Sequence, residues 1–343
     1  MKENFIPLKK PGLLTNLTMT SAVCTLFEGH YHYGVAALVN SLYKQGFRGS
    51  VFAGYRGNLP FWANKTIPDN NLNWEGATTF DVAPEFQIHF LPLSTDYHFT
   101  NYKPDFMLSL FNGPASATQS LFYFDPDIVV TAPWSFFEEW VSCGVALCED
   151  VNSPLSEHHP RRTVWRRNFS EKGFTLKFKN IIYVNAGFIG LTRQKLNFLE
   201  TWQKLQEAMA SEIGGLNRCS ISERLPLPEN AHGTFFPFSK TDQDALNAAI
   251  EAWDGEISFF GKEGMAFKSG EPLMPHALGN PKPWQSNPLL QILNGYPPRL
   301  VDKKYWSYVS RPITTHSSGF IRRRKFSIAF AALIGRFYRR GEF

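Results

Sequence analysis

The chain has 343 residues, 35 basic and 30 acidic, for a formal net charge of +5. Seven basic residues and one acid lie from Phe320 onward, which leaves a body of 28 basic and 29 acidic residues, net −1; so balanced a body argues against a nucleic-acid partner. The apolar and aromatic content can bury a large core, and four scattered cysteines (Cys24, Cys143, Cys148, Cys219) with no Cys-x-x-Cys pair argue against a zinc or disulfide framework and fit a reducing compartment.

Residues 1–19 read as an N-terminal extension. Residues 1–10 lack the apolar stretch of a secretory signal, so a cytoplasmic protein is expected. A first strand is predicted over 20–27, then a helix over 33–44 with Val35, Leu38, Val39 and Leu42 on one face and Gln45-Gly46 as its stop. Strands follow over 50–55 and 86–91, and a helix over 102–111. The apolar run 121–124 reads as a buried strand, with Asp125 and Asp127 at or just past its carboxyl end and three β-branched residues after them. A short helix over 134–141 and a strand over 144–148 come next. Residues 152–172 hold two prolines, two histidines and two Arg-Arg pairs; they read as a polar, irregular loop or lid, with its arginines solvated. A strand over 180–191 is interrupted by Asn185-Ala186-Gly187, and helices are expected over 194–209 and 242–253, the latter capped by Ser239 or Thr241. The alternation is that of an α/β domain with a mostly parallel sheet.

Four segments carry chemistry. Asp125 and Asp127 sit where open α/β sheets bind ligands, and two carboxylates one residue apart can reach one hard divalent cation. Gly187 beside Asn185 permits a bulge or a close ligand. Asp242 and Gln243 open a helix and can face a polar substrate, whereas Asp244 in the same turn suits the helix dipole. In residues 275–284, His276 is a good divalent-metal ligand, Gly279 frees the backbone, and Lys282 is a point charge suited to phosphate.

In this order (Thr25-Leu26 on a first strand, Asp-x-Asp, Asn-Ala-Gly, Asp-Gln-Asp-x-Leu-Asn, His-x-x-Gly-x-x-Lys-Pro-Trp) the motifs resemble those of glycosyltransferase family 8, over roughly residues 20–284. The resemblance implies a GT-A fold, with a Rossmann-like, mostly parallel central sheet flanked by helices, in a catalytic domain over 20–300. It implies transfer of a hexose, glucose or galactose, from a UDP-sugar to a glycan or glycolipid acceptor, with retention. Asp125, Asp127 and His276 would hold Mn²⁺, with Mg²⁺ as the alternative. Asp125, Lys282 and the backbone near Gly279 would bind the diphosphate, Thr25 and its neighbours the uridine, and Lys103 the donor. Asn185, Asp242 and Gln243 would line the donor sugar and carry the catalytic step. Glu28, with Phe27, stands where the family usually has an aspartate near the uracil.

Two other readings fit fewer residues. A haloacid-dehalogenase-like phosphatase would use Asp125 as nucleophile and Asp127 as acid/base, and leaves residues 276–284 unexplained. A catalytically dead, membrane-docked binding protein would use only the tail. Within that tail, 301–343, Phe326, Phe330, Leu333 and Phe337 fall on one helical stripe, widened by Ile334 and flanked by basic clusters. The stretch is too short to span a bilayer, so an interfacial helix on an anionic inner membrane face is expected.

Overall fold

The computed structural model describes residues 20–222, 224–231 and 236–338. The 1–19 extension and the last basic residues of the tail, Arg339 and Arg340, lie outside the described residues. In chain order the first half comprises β1 (Ser21–Glu28), α1 (His32–Lys44), β2 (Gly49–Arg56), β3 (Ile67–Pro68), β4 (Thr78–Ala83), β5 (Phe86–Pro92), α2 (Lys103–Asn112), β6 (Ser120–Phe124) and α3 (Trp134–Ser142). The second half comprises β7 (Val145–Glu149), α4 (Pro160–Glu171), β8 (Val184–Thr192), α5 (Leu196–Ile213), α6 (Thr241–Ala252), β9 (Ile257–Phe260), α7 (Pro288–Leu293), α8 (Leu300–Tyr305) and α9 (Ser318–Ile334).

One sheet takes all nine strands in the order β3-β4-β5-β2-β1-β6-β8-β7-β9. Its centre, β5-β2-β1-β6, runs parallel, as the sequence pattern predicts. The flanks differ: β4 against β5, and β8 against both β6 and β7, run antiparallel, so the sheet as a whole is mixed. Both faces are covered. Along β1, Ala22, Cys24 and Leu26 point into one core and Val23 and Phe27 into the other, the period-2 alternation of a strand buried on both sides.

The apolar run 121–124 forms β6, which ends at Phe124 with Asp125 just past it, as expected. Pro126 has no N–H to give a ladder, and Ile128 N–H instead donates to the Asp125 carbonyl at 3.0 Å, closing a turn. The strand expected from 180 begins at Val184 and is continuous through Asn185-Ala186-Gly187, but its register against β7 shifts between Asn185 and Gly190, an irregularity of the kind that glycine permits. The polar loop expected over 152–172 contains helix α4, with Pro160 at its start and the His159 ring accepting from Arg161 N–H. Arg161 and Arg162 are buried there, contrary to the solvated reading: Arg162 pairs with Glu251 at 2.6 Å, and Arg166 with the same carboxylate at 2.9 Å. Neither Ser239 nor Thr241 caps α6; the Asp244 carboxylate accepts from Lys240 N–H at 2.7 Å instead.

Beyond residue 300 the chain returns to the body. Asn40 on α1 donates to the carbonyls of Tyr308 and Ile313 and accepts from Ile313 N–H. Tyr305, Trp306 and Val309 pack with Ala37, Val129 and Trp284.

Candidate metal and donor site

Because β1, β6 and β7 share one direction, their carboxyl ends deliver Glu28, Asp125 and Asp150 to one edge of the sheet. The antiparallel β8 begins at that edge, and Asp125 N–H donates to the Gly187 carbonyl at 2.7 Å. Segment 273–277 then runs beside 127–131. Val129 N–H bonds to the Pro275 carbonyl, Ala277 N–H to the Asp127 carbonyl, and Ile128 forms a bridge with His276. Two glycines make this approach possible. A Cβ on Gly34 would sit 2.0 Å from the Pro126 carbonyl oxygen, so only glycine lets α1 seat under the aspartate turn. A Cβ on Gly187 would sit 2.6 Å from the His276 ring, which is held there with Nε2 toward the aspartates.

The outcome is a compact ligand set. One donor atom from each of Asp125, Asp127 and His276 lies within 4.8 Å of the others. His276 Nε2 is 3.1 Å from Asp127 and 3.8 Å from Asp125. Gly279, at φ +70, turns the chain so that Lys282 comes back onto Asp127 at 2.5 Å. Burial alone would raise the Asp127 carboxyl; the charges of His276 and Lys282 outweigh it and hold the group below the usual carboxylate range. Asp127 is therefore ionised at neutral pH, the state in which a carboxylate binds metal.

A second lysine completes the charge pattern. Lys103, at the start of α2, is fully enclosed, with its ammonium 3.1 Å from Asp125, 2.8 Å from Asp242 and 3.0 Å from the Ala186 carbonyl. Burial favours the neutral amine, but the two carboxylates override it and keep Lys103 charged. Tyr123 donates to Asp125 at 2.8 Å; burial and that carboxylate push its phenol well up, so it stays a donor. Three carboxylates thus meet two ammoniums. One added divalent cation would leave a net positive surface, the charge a diphosphate requires.

Asn185, Asp242 and Gln243 gather on the neighbouring wall. Asn185 donates to Asp150 at 2.7 Å and accepts from Gly187 N–H at 2.9 Å. The Gln243 side-chain Oε1 accepts from Ala186 N–H at 3.2 Å. All these groups border a cavity of about 750 Å³ that residues 26–31 also line. That volume suits a ligand of several rings. Of the residues singled out from sequence, Glu28, Lys103, Asp125, Asp127, Asn185, Asp242, Gln243, His276, Gly279 and Lys282 all border this cavity. Thr25 does not: its side chain is fully buried inside β1, so any contact with a base must come from its neighbours, Leu26 to Glu28. Glu28 faces Arg56 at 3.8 Å. The sequence reading missed Asp150 and Tyr123. Asp150 had a usable signal, an acid just after an apolar strand, as at Asp125; Tyr123 had none, since an aromatic inside a buried strand looks like core.

No protein-family model matches the chain, and no curated protein matches it. Among solved structures it is similar to the bifunctional glycosyltransferase WbbM in its apo form, at 14% identity and TM-score 0.44 over 91% of this chain and 52% of that one. It thus spans about half the length of that protein. It is also similar to the galactosyltransferase LgtC in complex with donor and acceptor sugar analogues, at 13% identity and TM-score 0.48 over 88% of this chain and 99% of that one.

Proposed function

We propose that the protein is a metal-dependent glycosyltransferase. It moves a hexose, glucose or galactose, from a UDP-sugar to a glycan or lipid-linked acceptor, with retention, at the inner face of a membrane. The observation that carries this is the Asp125, Asp127 and His276 set, flanked by Lys103 and Lys282, at the wall of a nucleotide-sized cavity. Two carboxylates and one imidazole suit Mn²⁺, and the imidazole makes the set a poorer fit to Mg²⁺. When bound, the cation neutralises charge that gathers on the diphosphate leaving group.

The chain's own residues do the remainder. Lys282 offers an ammonium to the diphosphate, and Gly279 lets the backbone approach it. Lys103 holds the Asp125 and Asp242 carboxylates in place. Asp242 and Gln243 offer oxygens to the electron-poor sugar carbon as the glycosidic bond stretches, by analogy with glycoside hydrolysis. Asn185, fixed by Asp150, orients the sugar. No described helix is long and apolar enough to cross a membrane. The tail stripe is nevertheless open to solvent: Phe326 is 71% and Phe337 86% exposed, while Ile321, Ile328 and Ala331 on the other side of α9 are buried. The helix is thus packed on the body by one face and available to lipid by the other.

A panel of UDP-sugars assayed for hydrolysis with and without Mn²⁺ tests the reading. Turnover of one UDP-hexose that disappears on chelation is the expected result. Metal-dependent phosphate release from simple phosphoesters, without UDP-sugar turnover, would replace it with the phosphatase reading.

A further inference from the structure

The tail is not the only exposed apolar element at its end of the molecule. Helix α7 presents Leu289, Leu290 and Leu293 to solvent, Leu293 at 72%, and Tyr296 follows at 56%. Leucines this exposed on a six-residue helix mark a surface built to be covered. The carboxyl end of α9 packs directly on α7: a Cβ on Gly335 would lie 2.6 Å from Pro297 and 3.4 Å from Ile292. The exposed leucines and the exposed phenylalanines therefore occupy neighbouring surface.

Beside them, between the carboxyl end of α9 and the α7–α8 connection with α8, is a cleft of about 280 Å³, lined by Pro297, Pro298, Lys303, Ala332, Gly335 and Arg336. Its only charged walls are Lys303 and Arg336. Neither side chain has an ion pair or hydrogen bond among the described residues, and both are exposed. Residues 296–338 contain nine lysines and arginines and one acid, Asp302, which is already held by Arg299. An apolar surface with two unpartnered cations in a notch beside it matches one occupant: a bilayer whose lipids carry anionic phosphate headgroups. A soluble protein partner would have to bring an acidic rim around an apolar centre, whereas an anionic bilayer presents both by its composition.

We propose that α7 and α9 together form the membrane-binding face, with α7 entering the lipid through Leu290 and Leu293, and that the adjoining cleft between α8 and the end of α9 is a headgroup site in which Lys303 and Arg336 clamp a lipid phosphate. This rests on the membrane-docking part of the proposed function and is independent of the sugar chemistry.

The test uses the full chain, vesicles of phosphatidylcholine with and without phosphatidylglycerol, and a short-chain phosphatidylglycerol below its micelle concentration. Co-sedimentation of Leu290→Asp/Leu293→Asp should fall roughly tenfold or more on the anionic vesicles, with UDP-sugar hydrolysis unchanged as the check on folding. Lys303→Ala/Arg336→Ala should abolish calorimetric binding of the short-chain lipid, whereas the charge-matched pair Arg322→Ala/Arg323→Ala should keep it. Equal loss in the two charge pairs would overturn the headgroup site, as would short-chain lipid binding no tighter than inorganic phosphate. Full vesicle binding by the α7 variant, together with loss in Phe326→Asp/Phe330→Asp, would overturn the composite face and leave docking to α9 alone. Vesicle binding unchanged in both variants, or a shift from dimer to monomer in the α7 variant with vesicle binding intact, would overturn membrane docking through this surface altogether.

Discussion

Helix α6 carries two kinds of acid within one turn. Asp242 and Gln243 border the cavity, where Asp242 meets Lys103 at 2.8 Å. Asp244 points the other way, fully buried, accepting from the Tyr183 hydroxyl at 2.7 Å with Arg161 3.8 Å away. Asn247 and Glu251 continue that inner face: Asn247 bonds both ways to the Val184 backbone, and Glu251 takes Arg162 and Arg166. A helix advances about 100° per residue, so positions 242 and 244 lie on opposite sides, while 244, 247 and 251 share one. One short motif thus lines the cavity on one face and braces the fold on the other. The contrast shows that helix phase, not residue type, assigns an acid its role.

The sharpest way to break the contrast is Glu251→Ala. It strands two arginines, one of them buried, and should cost about 3–5 kcal/mol of stability. Urea unfolding should show it, while Mn²⁺ affinity of the folded protein stays near wild type; lost metal affinity with stability intact would reverse the roles argued here. Asp127→Asn should do the opposite. On the proposed function transfer should drop about 100-fold or more, since a catalytic metal supplies several kcal/mol to such a reaction, with a far smaller shift in the unfolding midpoint. Near-normal, chelator-sensitive turnover in this variant would mean the ligand set is wrong.

Lys282→Ala is a finer probe of the outer group. Calorimetry with UDP and Mn²⁺ should give roughly tenfold weaker nucleotide binding, the loss of one charge-assisted contact. Mn²⁺ alone should bind no worse, because the ammonium that occupies Asp127 is gone. Unchanged UDP affinity and an unchanged transfer rate would remove Lys282 from the diphosphate site.

Asp244 gives the most diagnostic effect, one read from pH dependence alone. Burial, opposed by Arg161, raises its carboxyl to about 7. The folded state therefore holds a proton that the unfolded chain has already released, so this contribution is present below about pH 4 and is lost as pH rises toward 7. Wild-type stability should fall over that window by at least about 1 kcal/mol relative to Asp244→Asn, which cannot titrate. Parallel stability curves for the two proteins between pH 4 and 8 would show that Asp244 is ionised throughout.

Much of the site was legible in sequence because its residues come in short, ordered clusters. Asp125 and Asp127 follow an apolar run, His276 and Lys282 share one Gly- and Pro-punctuated loop, and Asp242 and Gln243 adjoin. What was illegible depended on partners far along the chain. Arg161 and Arg162 looked solvated because their counter-charges, Asp244 and Glu251, lie 83 and 89 positions away. Tyr123 and Asp150 acquire roles only through Asp125 and Asn185. The exposed leucines of α7 formed too short a run to show a period.

The sequence by itself determined the parallel centre of the sheet, the position of the aspartates at a strand's carboxyl end, and the amphipathic stripe of the tail. Each follows from local rules: burial on two faces demands a continuous apolar strand, proline ends a ladder, and a helix repeats every 3.6 residues. Only the tertiary structure decided that β8 runs antiparallel and brings Asn185 and Gly187 to the metal ligands. It also decided that Lys103 lies locked between two carboxylates, that Thr25 is sealed inside the sheet, and that α7 shares a surface with α9. Those outcomes depend on packing between segments distant in the chain, where a Cβ at Gly34 or Gly187 would collide with atoms that no local pattern could foresee.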